Sequence, residues 1–390
     1  MADRGRPLPR SMMLLLIAQL AVNFRAGMVS PILALFRRQQ GLSIGEIGLL
    51  GIVGTLGWFI FEPLSGFVAD RVPKRGMMVV GVLGSTAVYA LYPYASTMTG
   101  FALLAFAMAS TMAAYNVATR YLTIALIPAE SRGRTYGRYL SVISLGSMIS
   151  PLAGGYATSL YGYTLPFYLA AVIGLVALVA VLPMKVDDGQ SRRSRGSLDI
   201  RAALGRPMTS IYAVRATFTM NNFFRENFLP IYLHESQSYA ASETVIGAYL
   251  TVFRLTTTAG QAFLGNLFDV VGSKRLMVVS LLCLGLSYAG LGALGGTGWL
   301  YLLGAVQGVL MAVADMSMMV HLMTVIPSGL TGVVTGLYGE SENLGGLVSN
   351  PIIGFTYDGF GGVVTLSVLA IVLVSSSLLA SVLIKDEKKG

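Results

Sequence analysis

The sequence predicts an all-α membrane protein with twelve transmembrane helices. Three observations lead there: too few charges to cover a water-facing surface, apolar runs long enough to cross a bilayer, and basic clusters that fall between those runs. Of the 390 residues, 54% are hydrophobic and 12% charged, and the mean hydropathy is +0.69. A soluble domain carries roughly 25% charged residues, so lipid is the expected solvent for most of this surface. The net charge of +9 does not indicate nucleic acid, because the basic residues form no single patch. Cys283 is the sole cysteine and lies in an apolar run, so no disulfide framework or cysteine metal site is available. With only His234 and His321 as histidines, neither a structural metal nor any other cofactor is expected.

Arg4, Arg6 and Arg10 precede the first apolar run, Met12 to Phe36. A signal peptide would need a short apolar region and a small-residue cleavage site. This run instead suffices for a hydrocarbon core of about 30 Å, and it reads as a retained first span. The remaining spans are expected at 45–68, 76–94, 98–127, 135–160, 162–184, 208–233, 243–268, 274–294, 298–326, 329–357 and 361–384. Spans 7 and 11 are the weakest by hydropathy. Span 7 carries Arg215, Asn221, Asn222, Arg225 and Glu226; span 11 carries Glu340, Glu342 and Asn343.

An even number of spans puts both termini on one side. Twenty of the 27 basic residues lie at the termini, in the 2–3, 4–5 and 8–9 loops and in the 185–207 linker, all on that side. Arg37 and Arg38 mark the other. The excess of Lys and Arg makes the 20-residue side cytoplasmic, with the chain in the cell membrane. The Ser/Arg-rich linker then separates a bundle of six helices at 1–184 from a second at 208–390.

Sliding the chain against itself by 199 residues supports this division. Asn23 meets Asn222, Pro31 meets Pro230, Ser43 meets Ser242, Gly48 meets Gly247, Gly66 meets Gly265, Asp70 meets Asp269, Pro128 meets Pro327 and Gly137 meets Gly336. Chance overlap of apolar runs aligns Leu with Val; it does not align Pro, Asn, Gly and Asp. Spans 7 and 11 thus gain counterparts in spans 1 and 5. Two pseudo-symmetric six-helix bundles are expected, an architecture in which the bundles rock around a midplane site.

Two motifs carry a family resemblance. The 2–3 loop reads Gly66-Phe-Val-Ala-Asp70-Arg71-Val-Pro-Lys74-Arg75, and a second copy runs from Gly265 through Asp269 to Lys274-Arg275. It resembles the G-x-x-x-D-R-x-G-R-R loop of the major facilitator superfamily, with Pro73 at the second glycine. Span 5 carries Gly137, Gly146, Ser150, Pro151, Gly154 and Gly155. This is similar to the G-x8-G-x3-G-P-x2-G-G motif of the proton-coupled antiporters that export drugs and metabolites, with Ser150 at one glycine. In physical terms, Gly66 is expected at a close helix approach and Asp70 at a helix N-terminus or an arginine. The resemblance implies a latch on the cytoplasmic side. The glycines of span 5 permit tight packing, and Pro151 bends the helix. The exporters' usual arginine early in span 4 is absent: Phe101 to Tyr115 carry no charge.

Ionisable side chains within spans are costly, which makes them functional candidates. They are Arg25, Arg120, Arg215, Arg225 and Arg254 against Glu62, Glu226, Asp315, Glu340 and Glu342, a neutral tally that also permits structural pairing. The resemblance implies that spans 1, 4, 7 and 10 line the cavity. That selects Arg25, Arg120, Arg225, Glu226, Asp315 and His321, with Asn23, Tyr115 and Asn222 as further candidates. Glu340 and Glu342 stand about 200° apart on a helix, so at most one is expected to face the cavity. Arg215, Arg120 and His321 sit near the cytoplasmic ends, where snorkelling or gating is expected. Arg254 and Glu62 read as bundle contacts.

The expected function is secondary active transport of a small organic solute by alternating access. Proton-coupled export follows from the span 5 motif, with the proton gradient as drive and a monomer as sufficient unit. Uptake or facilitated transport of an organic anion or zwitterion is the alternative raised by Arg25 and Arg225. A non-transporting membrane sensor is a third. No enzyme is expected: no Ser/His/Asp set, metal cluster or phosphate loop appears.

Overall fold

The computed structural model describes residues 10–69, 71–126, 132–184, 203–326 and 330–384. Nearly all are helical. The first six helices are α1 (Arg10–Gln39), α2 (Ile44–Ala69), α3 (Lys74–Leu91), α4 (Met98–Leu126), α5 (Arg132–Tyr161) and α6 (Leu165–Val181). They are followed by α7 (Arg206–Phe223), α8 (Leu229–Glu235), α9 (Glu243–Phe263), α10 (Gly265–Val271), α11 (Ser273–Ala293), α12 (Thr297–Val325), α13 (Thr331–Phe360) and α14 (Gly362–Leu383). A π-helical turn, Phe224–Phe228, joins α7 to α8 in one rod. With the short α10 set aside, twelve long rods occur among the described residues, at the places where spans are expected. By length and composition, α1, α2, α3, α4, α11, α12 and α14 are apolar enough to cross a membrane. Large apolar side chains point outward, among them Leu103, Val179 and Val382 at 67%, 68% and 79% exposure. Such a surface is stable only against lipid or another apolar partner.

Local chemistry explains the helix ends. Ser43 and Glu46 form a reciprocal capping box on α2: Ser43 N–H donates to Glu46 Oε2 at 2.7 Å, and Glu46 N–H to Ser43 Oγ at 3.1 Å. Its counterpart Ser242 caps α9 by accepting from Val245 N–H at 3.4 Å. Gly162 and Gly361, 199 residues apart, both have φ of +81° and terminate α5 and α13, a conformation open to glycine at no steric cost. The π turn adjoins Pro230, which has no N–H to give to the Glu226 carbonyl four residues back. A proline alone does not open such a turn, since its counterpart Pro31 sits in unbroken α-helix.

The chain forms two compact units. One comprises Met1–Ile32 with Leu56–Arg192, the other Leu33–Thr55 with Arg193–Gly390. In the first, α3 packs on α4 and α6, around Leu15, Met78, Val82, Ala118 and Ala177. In the second, α11 packs in the same way on α12 and α14, α9 on α12, and α13 on α7. Glycines set several of these approaches. A Cβ on Gly146 of α5 would lie 3.0 Å from the Leu20 carbonyl oxygen of α1, and one on Gly154 would overlap the Met28 carbonyl. Gly345 of α13, the counterpart of Gly146, meets the Ala216 carbonyl of α7 in the same manner. Residues 33–55, the ends of α1 and α2 with their connection, pack with the second half of the sequence. Most of the linker expected at 185–207 lies outside the described residues.

Candidate functional site

Three charged side chains from three helices meet in the second unit. Arg215 of α7 places Nη1 2.5 Å from Asp315 Oδ1 of α12 and Nη2 2.7 Å from Glu342 Oε2 of α13. The Arg215 side chain is 12% exposed, while those of Asp315 and Glu342 are 37% and 39% exposed. These residues stand nine, ten and eleven positions from Arg206, Val325 and Thr331 at the ends of their helices, about 15 Å along each at 1.5 Å per residue. The Tyr338 ring lies 5.0 Å from the guanidinium carbon. Buried without a hydrogen-bond partner are the Tyr338 hydroxyl and Arg215 Nε, so the cluster retains polar capacity. One cation faces two carboxylates, and the fully ionised triad carries one excess negative charge.

The π turn carries the next pair, Arg225 and Glu226. The Arg225 guanidinium lies 4.3 Å over the Phe253 ring of α9 and 4.0 Å from the Met311 sulfur of α12. Arg254, next to Phe253 in sequence, has Glu226 and Arg225 as charged neighbours. Asn221 donates to the same Met311 sulfur at 3.3 Å and accepts from the Tyr288 hydroxyl. Asn222 Oδ1 is buried without a partner.

Arg25 is placed differently. It is 1% exposed and points into the first unit, donating to Ser85 Oγ at 2.6 Å and Thr86 Oγ1 at 2.9 Å. The Met112 sulfur lies at 4.0 Å and the Tyr89 ring at 5.2 Å. Gly174 of α6 leaves room for it: a Cβ there would overlap Arg25 Nη1. Met112 and Tyr89 are the counterparts of Met311 and Tyr288, which adjoin Asn221 and Arg225 in the second unit, but Ser85, Thr86 and Gly174 have Leu284, Gly285 and Leu373 as counterparts, so the polar cradle of Arg25 is particular to the first unit. Asn23 donates to the Gln19 carbonyl at 2.8 Å, and Tyr115 donates to Gln19 Oε1 at 3.3 Å.

The remaining candidates fall apart from these clusters. Glu340 accepts from Asn343 at 3.2 Å rather than joining Glu342. Arg120 pairs with Glu62 at 2.5 Å on an exposed face. His321 lies 3.4 Å from Ser273 Oγ. Asp70 and the side chains of Asp269 and Gly137 lie outside the described residues. Arg71 stacks at 3.7 Å on Phe67, Lys74 sits 5.5 Å from the Tyr121 ring, and Arg75 is exposed. The close approach expected at Gly66 is absent: no described atom lies within 4 Å of a Cβ built there or at Gly265. Mid-helix, a Cβ on Gly57 of α2 would lie 2.6 Å from Ala109 Cβ of α4, and the other close glycine contacts fall at the first turns of α2. There Asp358 of α13 accepts from Ile44 N–H at 3.0 Å and Gly45 N–H at 2.7 Å. A Cβ on Gly48 or Gly51 would lie 2.5 Å from Asn350, and Arg38 pairs with Glu235 at 2.6 Å.

The sequence does not show the meeting of Arg215 with Asp315 and Glu342, nor this seam: Arg215 reads as snorkelling or gating because hydropathy starts span 7 at 208. Asp358 gives no signal, since it lies at the margin of its span.

Comparison with known proteins places this geometry. The profile of the Major Facilitator Superfamily matches residues 15–235 and 214–390. An uncharacterised MFS-type transporter of Methanocaldococcus jannaschii is 22% identical over 368 residues, covering 91% of this chain and 93% of that protein. The quinolone resistance protein NorA of Staphylococcus aureus is 21% identical over 168 residues, 43% of each chain. Among solved structures, the nucleoside transporter NupG aligns with a TM-score of 0.82 at 14% identity, over 97% of this chain and 100% of that one. A POT family transporter in complex with 5-aminolevulinic acid aligns at 0.79 and 13% identity, over 96% of each. At these identities the likeness is one of fold.

Proposed function

The chain belongs to the Major Facilitator Superfamily, and from that premise we propose that it is a proton-coupled exporter of a small organic solute, working by alternating access. Its two halves act as six-helix bundles with both termini in the cytoplasm of the cell that carries it, and a monomer suffices. The observation that carries the reading is the sharing of one arginine by two carboxylates, Asp315 and Glu342. An excess negative charge within a span is costly, and one proton bound by the triad would remove it. A protonated carboxyl also loosens its hold on Arg215, which couples proton occupancy to the packing of α7, α12 and α13. The span 5 pattern and the partial likeness to a quinolone resistance protein favour export.

The test uses proteoliposomes with a trapped pH dye and a panel of quinolones and amphipathic dyes. An outward solute gradient is expected to drive protons inward with wild-type protein. Glu342→Gln or Asp315→Asn is expected to bind solute and move no protons. Solute movement without proton movement in the wild type rejects the coupling and leaves a uniporter or a carrier driven by another ion.

A further inference from the structure

We infer that the π-helical turn of the seventh span forms an anion subsite, anchored by Arg225, that takes the carboxylate of an aromatic or otherwise apolar organic acid. The inference deepens the transport reading by naming a substrate class, and it rests on that reading only for the purpose of the subsite, not for its existence. Arg225 lies within a span and makes no ion pair among the described residues. Its guanidinium rests on a ring face at 4.3 Å and beside a thioether at 4.0 Å, and both are weak partners for a cation away from water. Arg254 adds a second positive charge and Glu226 one negative, so the group as a whole is cationic. Helix architecture does not require these charges: the 199-residue counterparts of Arg225, Glu226 and Arg254 are Ala26, Gly27 and Thr55.

The backbone supports the same reading. The π turn Phe224–Phe228 holds both Arg225 and Glu226, and single π turns within α-helices are frequent at functional sites. A guanidinium presents a planar fork that matches a carboxylate, while Phe253 and Met311 offer an apolar wall to the body of the acid. The cationic group and the anionic Arg215 triad share the same rod, ten residues apart in sequence. The rod therefore offers a positive subsite for an organic anion and a negative one for a proton.

The test is binding, measured without transport. Purified protein in detergent is unfolded thermally with benzoate or with its neutral isostere benzamide. Benzoate is expected to raise the midpoint of the wild type by several degrees, as ligands of the native state do, and benzamide to raise it far less. Arg225→Gln is expected to lose the benzoate increment, and Arg225→Lys to keep part of it, having the charge without the fork. Equal responses to the two probes, no benzoate response in the wild type, or a full response in Arg225→Gln overturns the subsite. If Arg225→Gln does not fold, the wild type and Arg225→Lys decide. Benzoate binding of this kind in a protein that moves no protons keeps the subsite and rejects the coupling; proton-coupled transport without it does the reverse.

Discussion

Two buried arginines have opposite surroundings at the residue scale. Arg25 sits among neutral donors and acceptors with no carboxylate partner among the described residues, whereas Arg215 holds two carboxylates. Removing one partner of a buried ion pair strands the other charge and is costly, whereas removing a buried charge that has no ionic partner strands none and relieves its own desolvation. Arg25→Met is therefore expected to unfold at the wild-type temperature or above. Arg215→Met is expected to lose about 1–3 kcal/mol, a buried-pair cost reduced because both carboxylates are over a third exposed. Thermal unfolding of both variants in one detergent checks the order, and the reverse order would refute the assignment. Gly174→Ala tests the cradle from the other side. Its new methyl group would overlap Arg25 Nη1 and Thr86 Oγ1, for an overpacking cost of about 1–3 kcal/mol. That cost is expected to shrink in the Arg25→Met background, where a flexible thioether replaces the guanidinium. The sequence showed that Arg25 was deep in its span, but not which way it points. Direction depends on Gly174 and Ser85, which lie 149 and 60 residues away and share no motif with it.

At the scale of the element, α2 has a packed end and an open one. Its first turn is fully provided for: Ser43, Glu46 and Asp358 together satisfy the N–H groups from Ser43 to Glu46. Gly45, Gly48 and Gly51 then lie on one face at intervals of three, against Asn350, Gly354 and Asp358 of α13. A side chain larger than hydrogen at Gly48 meets the Asn350 backbone, which cannot rotate away. Gly48→Val is thus expected to part the seam, whereas Gly66→Val, with open space around it, is expected to leave it intact. Trapping by a bis-thiol crosslinker between Arg38→Cys and Glu235→Cys, in a Cys283→Ser background, reads the difference. Trapping should fall several-fold with Gly48→Val and remain unchanged with Gly66→Val; equal trapping in both refutes the seam. The helices themselves were legible from hydropathy and caps, since Ser43-x-x-Glu46 announces a helix start in any sequence. The seam was not, because a glycine on an apolar helix reads the same whether it faces lipid, a neighbour or nothing. The π turn was equally hidden: Pro230 and Pro31 look alike in sequence and fold differently.

For the whole molecule, the 199-residue repeat was the most informative feature of the sequence. The paired glycines Gly162 and Gly361 and the matching helix pairs, α3 on α4 and α6 and α11 on α12 and α14, follow it. What a repeat cannot reveal is where one half engages the other, because that engagement breaks the symmetry. Here residues 33–55 from the first half pack in one unit with 193–390. Alternating access requires that packing to be temporary. Its polar contacts are two charge-assisted hydrogen bonds to a helix start and one ion pair with both side chains over a third exposed, each worth on the order of 1 kcal/mol. A reducible bis-thiol crosslinker joining Arg38→Cys to Glu235→Cys, in the Cys283→Ser protein, makes the seam permanent. Solute flux in proteoliposomes is expected to fall by at least tenfold on crosslinking and to return on reduction, while solute binding from the opposite face persists. Full flux through the crosslinked protein would mean that the seam stays closed throughout the cycle and that access alternates elsewhere. Loss of binding together with flux would place the solute site on the side that the seam closes.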